Sequence, residues 1–459
     1  MANARLDGLY LLVLGGVVFL FFGLTMEYSS PVSMVDFGVL YFPARSLFHH
    51  GDPYKQNEVL RAYLADGGEH LWDSPKDREI VTRYQYLPTS FCVTAPLALL
   101  PWNIARILWI SLTAGGLMLA AFLLWNLSAD YAPVLSGGLI GFLLANSVVV
   151  IVLGNAAGIV ISLCIISVWC LLRERFVPLG IFGLATGLAL KPHDVGFVWL
   201  FFLLAGGVYR KRALQTVGAT AVIGLPGVLW VWVLSPGWVK EWESNLAVLA
   251  AHSGVTDPGP ASTGSHGLGM LINLQAAISV FWDNPGIYQP IAYIVAGSLL
   301  AVWAAMILCS RISFESAWLA IAAVSALSLL PVYHHLYDAT LMLLAVPACS
   351  MLWARTRIIG RIAMVVTSLA FIFAGDFTWT IILTIIGRLH LPATKLTWLI
   401  LTSVQVLPAP LTILLMGVFY LCTFARSRAG IDWKTQAQLK TRDAQSPARL
   451  EAALLPPTQ

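Results

Sequence analysis

One carboxylate, Asp36, stands just behind the first long apolar run, at the head of "SMVDFGVLYFPARSLFHHGDPYKQ" (residues 33–56). In a partly dry cleft an ionised carboxylate can take a proton from an attacking hydroxyl, which makes Asp36 a candidate general base. The plainer alternative is that it caps the helix that follows it. A base of this kind needs a leaving group opposite it, and the sequence offers cationic groups for an anionic one. Lys191 closes an apolar run in "LALKPHD", next to Pro192, His193 and Asp194, and His334 and His335 sit in "PVYHHLYD" (residues 331–338). A lysine at a helix C-terminus is often only a partner of the helix dipole or a snorkelling side chain. In a turn between two apolar runs, beside Pro192-His193-Asp194, it reads as part of a site.

Other chemistries are not written in the chain. Adjacent His334 and His335 cannot face the same way on a helix. No His-x-x-x-His, Cys-x-x-Cys or Asp-x-Asp spacing occurs, so no metal is expected. There is no phosphate-cradling P-loop, dinucleotide fingerprint or nucleophile elbow, which argues against a soluble nucleotide-sugar donor. A lipid-borne phosphate fits better, because its tail partitions into the bilayer while its phosphate stays at the interface. The six cysteines are scattered, mostly within apolar runs, and read as packing thiols.

The elements that would hold these residues are apolar helices. Of 459 residues 58% are hydrophobic and 11% charged, against about 25% charged in soluble chains. The expectation is an all-α polytopic membrane protein. Apolar runs at 8–27, 89–126 (broken near Pro101), 133–151, 155–172, 177–190, 193–209, 213–234, 286–308, 315–330, 338–354, 358–375 and 396–424 give about twelve spans. The first carries no small-residue cleavage site and reads as a retained helix.

Twelve crossings place both termini on one side. Arg5, Arg173, Arg175, Arg210, Lys211, Arg212, Arg311, Arg355, Arg357 and Arg361 then share that side with the basic tail, which the positive-inside rule makes cytoplasmic. Asp36, all nine histidines, the "GNAAG" turn (154–158) and the turns at 190–196 and 331–338 fall outside. Polar groups in tight turns between apolar helices usually face a cavity, and a shared outward-facing cleft is expected. Two larger outer segments, 28–88 and 235–285, flank it. The first opens with an amphipathic stretch read as an interfacial helix ended at Gly51-Asp52-Pro53-Tyr54, and the second contains a Gly/Ser/His-rich loop. Residues 1–425 thus form one transmembrane catalytic domain, and 426–459 a polar cytoplasmic tail read as disordered.

These residues, in this order, resemble the GT-C membrane glycosyltransferases, and within them glycosyltransferase family 87, the polyprenyl-phosphate-mannose-dependent α-mannosyltransferases. The resemblance rests on the Asp36 stretch with "GDPY", on "YQYLPTSFCVTAPLALLPWNIARILW" (84–109), and on "GNAAGIVISL" and "GIFGLATGLALKPH". It covers about residues 8–210 well. Beyond them it rests on hydrophobic pattern and "YHHLYD". "YLP" stands at 86–88 where a Pro pair is expected, and Asn155 where Gln is common, which bears on sugar and acceptor identity.

The resemblance implies a GT-C-like fold, Asp36 as catalytic base, an outer-face active site and no obligatory metal or cofactor. Lys191, His334, His335 and Arg45 are then expected on the donor phosphate, and Tyr41, His49, Tyr54, Tyr86, Asn155, His193 and His266 around the cleft. The expected partners are a polyprenyl-phosphate sugar donor, a lipid-linked or glycan acceptor and membrane lipids, with no nucleic acid. The expected location is the bacterial inner membrane, with the site facing the periplasm. A lipid or glycan transporter or flippase stands as the alternative, as does an O-antigen-ligase-like enzyme. A transporter would want charges at mid-depth in its spans, and 8–27, 133–151, 213–234 and 286–308 have none.

Overall fold

A computed structural model describes residues 2–72, 74–251, 254–259, 271–389 and 395–428, and among these the regular structure is helical apart from one isolated bridge between Leu271 and His335. From the N-terminus the helices are α1 (Ala2–Ser29), α2 (Val35–Phe48), α3 (Gln56–Ala65), α4 (Pro75–Val81), α5 (Phe91–Ala98), α6 (Trp102–Ser128), α7 (Pro133–Ala145), α8 (Val149–Leu153), α9 (Ala157–Arg173), α10 (Val177–Leu190), α11 (Pro192–Leu204), α12 (Gly207–Leu234) and α13 (Trp238–Leu249). The C-terminal half continues through Leu274–Ser279, Pro285–Leu308, Phe314–Leu327, Leu336–Arg355, Arg357–Phe373, Asp376–Arg388, Lys395–Val406 and Pro408–Arg428.

Every apolar run read from the sequence contains a helix, but the runs are not equivalent. Among the described residues seven helices are long and apolar enough to cross a membrane, and Arg357–Phe373 with Asp376–Arg388 makes an eighth candidate bent by 58°. Four others, α9, α10, α11 and Phe314–Leu327, are shorter apolar helices of 10–17 residues, below the roughly 20 residues a straight span needs. The expected number of about twelve spans is thus matched in full length by seven or eight of the described helices. The protein is a multi-pass integral membrane protein whose inner helices are short and buried among longer ones. Where α1 passes α7, glycines let the backbones meet: a Cβ on Gly15 would lie 2.2 Å from the Gly141 carbonyl oxygen, close packing of the kind small residues allow in membranes.

The two ends of the bundle differ in chemistry. At one end Arg5 pairs with Asp130, Arg355 with Glu315 and Arg212 with Glu174, and Arg173 lies 5.6 Å from the Phe314 ring. The turns at 154–155, 191–194 and 333–338 meet at the other end, beside α2.

In the segment 28–88 α2 departs from expectation. It does not lie in the interface with one face exposed, because Phe37–Ala44, Ser46 and Leu47 are all buried. Phe42 stacks on Trp102 at 5.4 Å and packs edge-on against Tyr63, while Phe37 stacks on Trp109 at 4.9 Å. The helix stops at Phe48, ahead of Gly51, and Asp52 accepts from the Tyr54 N–H at 2.9 Å in the turn that follows. The break between α5 and α6 falls at Pro101, as read, and leaves α5 with carbonyls that have no helical partner. Tyr41 donates to the Leu100 carbonyl at 2.8 Å and Arg45 to the Ala98 carbonyl at 3.0 Å.

The segment 235–285 packs down, through α13, on residues of 28–88. Trp242 of α13 donates to the Gln85 carbonyl, and Asn245 to those of Tyr54 and Tyr84 at 3.0 and 3.1 Å. The C-terminal helix Pro408–Arg428 runs past residue 425, and the rest of the expected tail, 429–459, lies outside the described residues.

Candidate active site

Asp36 sits in the first turn of α2 but does not cap it. The cap position is Met34, in a left-handed conformation with φ 57°, and no side chain bonds the free N–H groups there. The Asp36 carboxylate instead accepts a 2.7 Å hydrogen bond from Asn155 Nδ2. Asn155 Oδ1 is occupied by the Ala157 N–H at 2.8 Å, which fixes the amide with its donors toward Asp36. Gly154 makes this approach possible. Its φ of +66° suits glycine, and a Cβ there would lie 2.8 Å from Met34 Sδ and 2.9 Å from Phe37 Cβ. Its carbonyl accepts from Trp109 Nε1 at 2.7 Å. Burial pushes the Asp36 carboxyl up to about 6, against the lowering pull of the Asn155 bond and the Lys191 charge. Asp36 is thus poised to exchange a proton near neutral pH.

Asp36 and Asn155 line a cleft with Val35, Asp77, Arg83, Gln85, Tyr333, His335 and Tyr337. Its cavity volume is ≈ 100 Å³. A second compartment shares Gln85, Asn155, Tyr333 and Tyr337 and continues past Tyr86, Lys191, His193 and Trp242. Burial, with Asp36 close by, pushes the phenols of Tyr86 and Tyr333 well above their usual range, so both serve as donors. The Tyr333 hydroxyl lies 2.6 Å from His335 Nε2.

Lys191 reaches the second compartment already paired. Its Nζ lies 2.5 Å from Asp338 Oδ1 and 3.0 Å from Asp194 Oδ2, and it sits 5.4 Å from the centre of the Tyr337 ring. Asp338 Oδ2 in turn accepts the His335 N–H at 2.8 Å. One buried cation thus ties α11 to the first turn of the helix that opens at Leu336, and two carboxylates answer its charge.

The structure therefore assembles Asp36, Tyr86, Asn155, Lys191, His193 and His335 around one cleft, with His334 buried directly behind His193 at 5.4 Å between ring centres. Four expected residues lie elsewhere. Arg45 is held by Asp66 at 2.7 and 3.1 Å as well as by Ala98. Tyr41 is buried in the aromatic core, Tyr54 lies behind the wall with its hydroxyl on the Tyr86 carbonyl at 2.8 Å, and His49 is exposed at the end of α2. His266 lies outside the described residues. Sequence reading did not pick out Arg83, a half-buried cation in the cleft wall that pairs with Glu79 at 3.0 Å, or Asp338, Tyr333 and Tyr337. The motif "PVYHHLYD" contained three of these, and its signal pointed only to the histidines.

The model of glycosyltransferase family 87 matches residues 84–336, more than half of the chain. The matched stretch includes Arg83's neighbour Tyr84, Tyr86, Asn155, Lys191, His193, His334 and His335, and leaves Asp36 and Asp338 outside. No curated protein and no solved structure matches the chain.

Proposed function

The chain belongs to glycosyltransferase family 87, and from that premise we propose that it transfers a sugar, mannose, from a polyprenyl-phosphate donor to a hydroxyl of a lipid-linked or glycan acceptor. The reaction takes place at the outer face of a bacterial inner membrane. Asp36 removes the proton of the acceptor hydroxyl. The freed oxygen attacks the anomeric carbon, the bond from that carbon to the phosphate oxygen breaks, and polyprenyl phosphate leaves. Attack from the face opposite the leaving group inverts the anomeric centre, so a β-linked donor gives an α-linked product with no covalent sugar-enzyme intermediate.

One observation carries this reading: a raised carboxylate, held by a side-chain amide, opens on a cleft whose walls carry Arg83, His335 and phenol donors. Donors and cations opposite a base suit charge that develops on a departing phosphate. Arg83 and His335 take the phosphate role in this reading. Lys191, answered by two carboxylates, orders the wall between the two compartments, and Asn155 aims the base.

The test is transfer by the purified protein in nanodiscs, supplied with polyprenyl-phosphate mannose or with a nucleotide-linked mannose and a hydroxyl acceptor. An α-linked product from the lipid-phosphate donor alone is expected. Transfer from the nucleotide donor, or a β-linked product from a β-linked donor, would overturn the assignment.

A further inference from the structure

Beside the cleft, three groups converge on one point and none is satisfied there. Asp194 Oδ2 faces Lys191, while Asp194 Oδ1 faces His193 Nε2 at 3.4 Å and His334 Nε2 at 3.5 Å. None of these three atoms makes a hydrogen bond. His334 is fully buried and Asp194 is 2% exposed. The His334 ring is oriented from behind, since its Nδ1 lies 3.1 Å from the Val332 carbonyl oxygen. A carbonyl only accepts, so Nδ1 carries the hydrogen and Nε2 of the neutral ring presents a lone pair. A lone pair then faces a carboxylate oxygen in a dry site, with a second imidazole nitrogen turned to the same oxygen. Such an arrangement calls for a cation between the groups.

We propose that His193, Asp194 and His334 form a binding site for a divalent transition-metal ion of the zinc class. Two imidazole nitrogens and one carboxylate oxygen are a usual zinc ligand set. Bonds of about 2.0–2.2 Å in a tetrahedral site put neighbouring ligand atoms roughly 3.3 Å apart, close to the 3.4 and 3.5 Å found here. All three ligand atoms lie within 4.8 Å of one another. The Val332 carbonyl behind His334, and Lys191 on the far oxygen of Asp194, supply the outer contacts that orient metal ligands. His193 also lines the second compartment with Asn155 and Tyr86, so the fourth position opens toward the cleft, as in sites that polarise a bound oxygen. The site goes beyond the transferase reading and does not depend on it.

The experiment needs neither donor nor acceptor, so its outcome is separate from that of the transfer assay. The full chain in detergent is stripped with a chelator, loaded with Zn²⁺, and its metal content measured. Loading with Co²⁺ then reports geometry through the visible absorption of a four-coordinate ion. One Zn²⁺ per chain is expected, with affinity lost at least about 100-fold in His193→Ala and His334→Asn and kept in His49→Ala and His50→Ala, whose exposed side chains control for adventitious binding. The His193 side chain is 37% exposed, so its removal tests the site even if His334→Asn does not fold. Absence of stoichiometric Zn²⁺ in the unaltered chain, or undiminished binding by His193→Ala, would overturn the site.

Discussion

Asp36 and Asn155, 119 positions apart in the chain, share a 2.7 Å hydrogen bond in which the amide can only donate, because its oxygen is taken by the Ala157 N–H. The bond aims the carboxylate into the cleft and leaves its second oxygen for a substrate proton. Asp36→Asn keeps the shape and removes the base, so transfer should fall by about 10²–10⁴-fold, with donor binding retained. Turnover and donor binding measured on the same nanodisc preparation check this. Near-normal transfer by the folded variant would return Asp36 to a structural role.

The same carboxylate sets a pH dependence. Burial raises it to about 6 in the folded protein, from 3.8 in an exposed chain. The base is therefore protonated, and transfer should fall about tenfold per pH unit, below pH 6. The linked stability has the opposite trend. Between about pH 4 and 6 the folded state holds the proton more tightly than the unfolded one, so Asp36 lowers stability as pH rises through that window and levels off above it. At pH 8 its ionised form costs on the order of 3 kcal/mol, and Asp36→Asn should unfold at a higher temperature than the unaltered protein there. A lower unfolding temperature at pH 8 would contradict the buried-base assignment.

Two arginines near α2 should separate. Arg83→Gln takes a cation from the cleft wall and should raise the KM for the lipid-phosphate donor, with a weaker salt dependence. Arg45→Gln unties Asp66 and the Ala98 carbonyl and should lower stability by about 1–3 kcal/mol, with little change in KM. Donor titrations and thermal unfolding on both variants decide the matter. Equal KM effects would refute a phosphate role specific to Arg83.

Lys191→Met leaves Asp194 and Asp338 as buried carboxylates without their shared cation, which should cost about 3–5 kcal/mol. Adding Asp338→Asn to that variant should recover part of the loss, while Lys240→Ala, on an exposed position of α13, should change little. Unfolding temperatures of the three proteins, compared at one pH, provide the check. Failure of the second change to recover any stability would argue against the ion network as drawn.

Much of this site was legible because polar residues are costly in turns between apolar helices. Asp36, Asn155, Lys191 and His193 all stood out on that ground, and the first three are linked in the structure by the hydrogen bonds and wall residues of one cleft. Arg45 and Tyr41 misled for a physical reason. An amphipathic reading gives α2 a wet face, but the helix is enclosed by Trp72, Trp102 and Tyr63, and its polar groups serve the open carbonyls at the end of α5. The pairing of His334 with His193 and Asp194 was beyond any spacing rule, since the residues come from turns far apart in the chain. Asp376 was hidden for the same reason: it accepts the Val149 N–H at 2.8 Å, from a residue far away in the chain.

The bond between Lys191 and Asp338 also bears on how the protein can be divided. The stretch recognisable as family 87 ends at residue 336 and begins at 84, two residues short of Asp338 and well beyond Asp36. A fragment cut to those limits would keep Lys191 in a dry interior with one of its two carboxylates missing, and Asn155 would aim at an empty space. Such a fragment, however well it expresses, should be inert and poorly folded. Co-expression with separate 1–83 and 337–459 pieces would have to restore both contacts before any transfer returned.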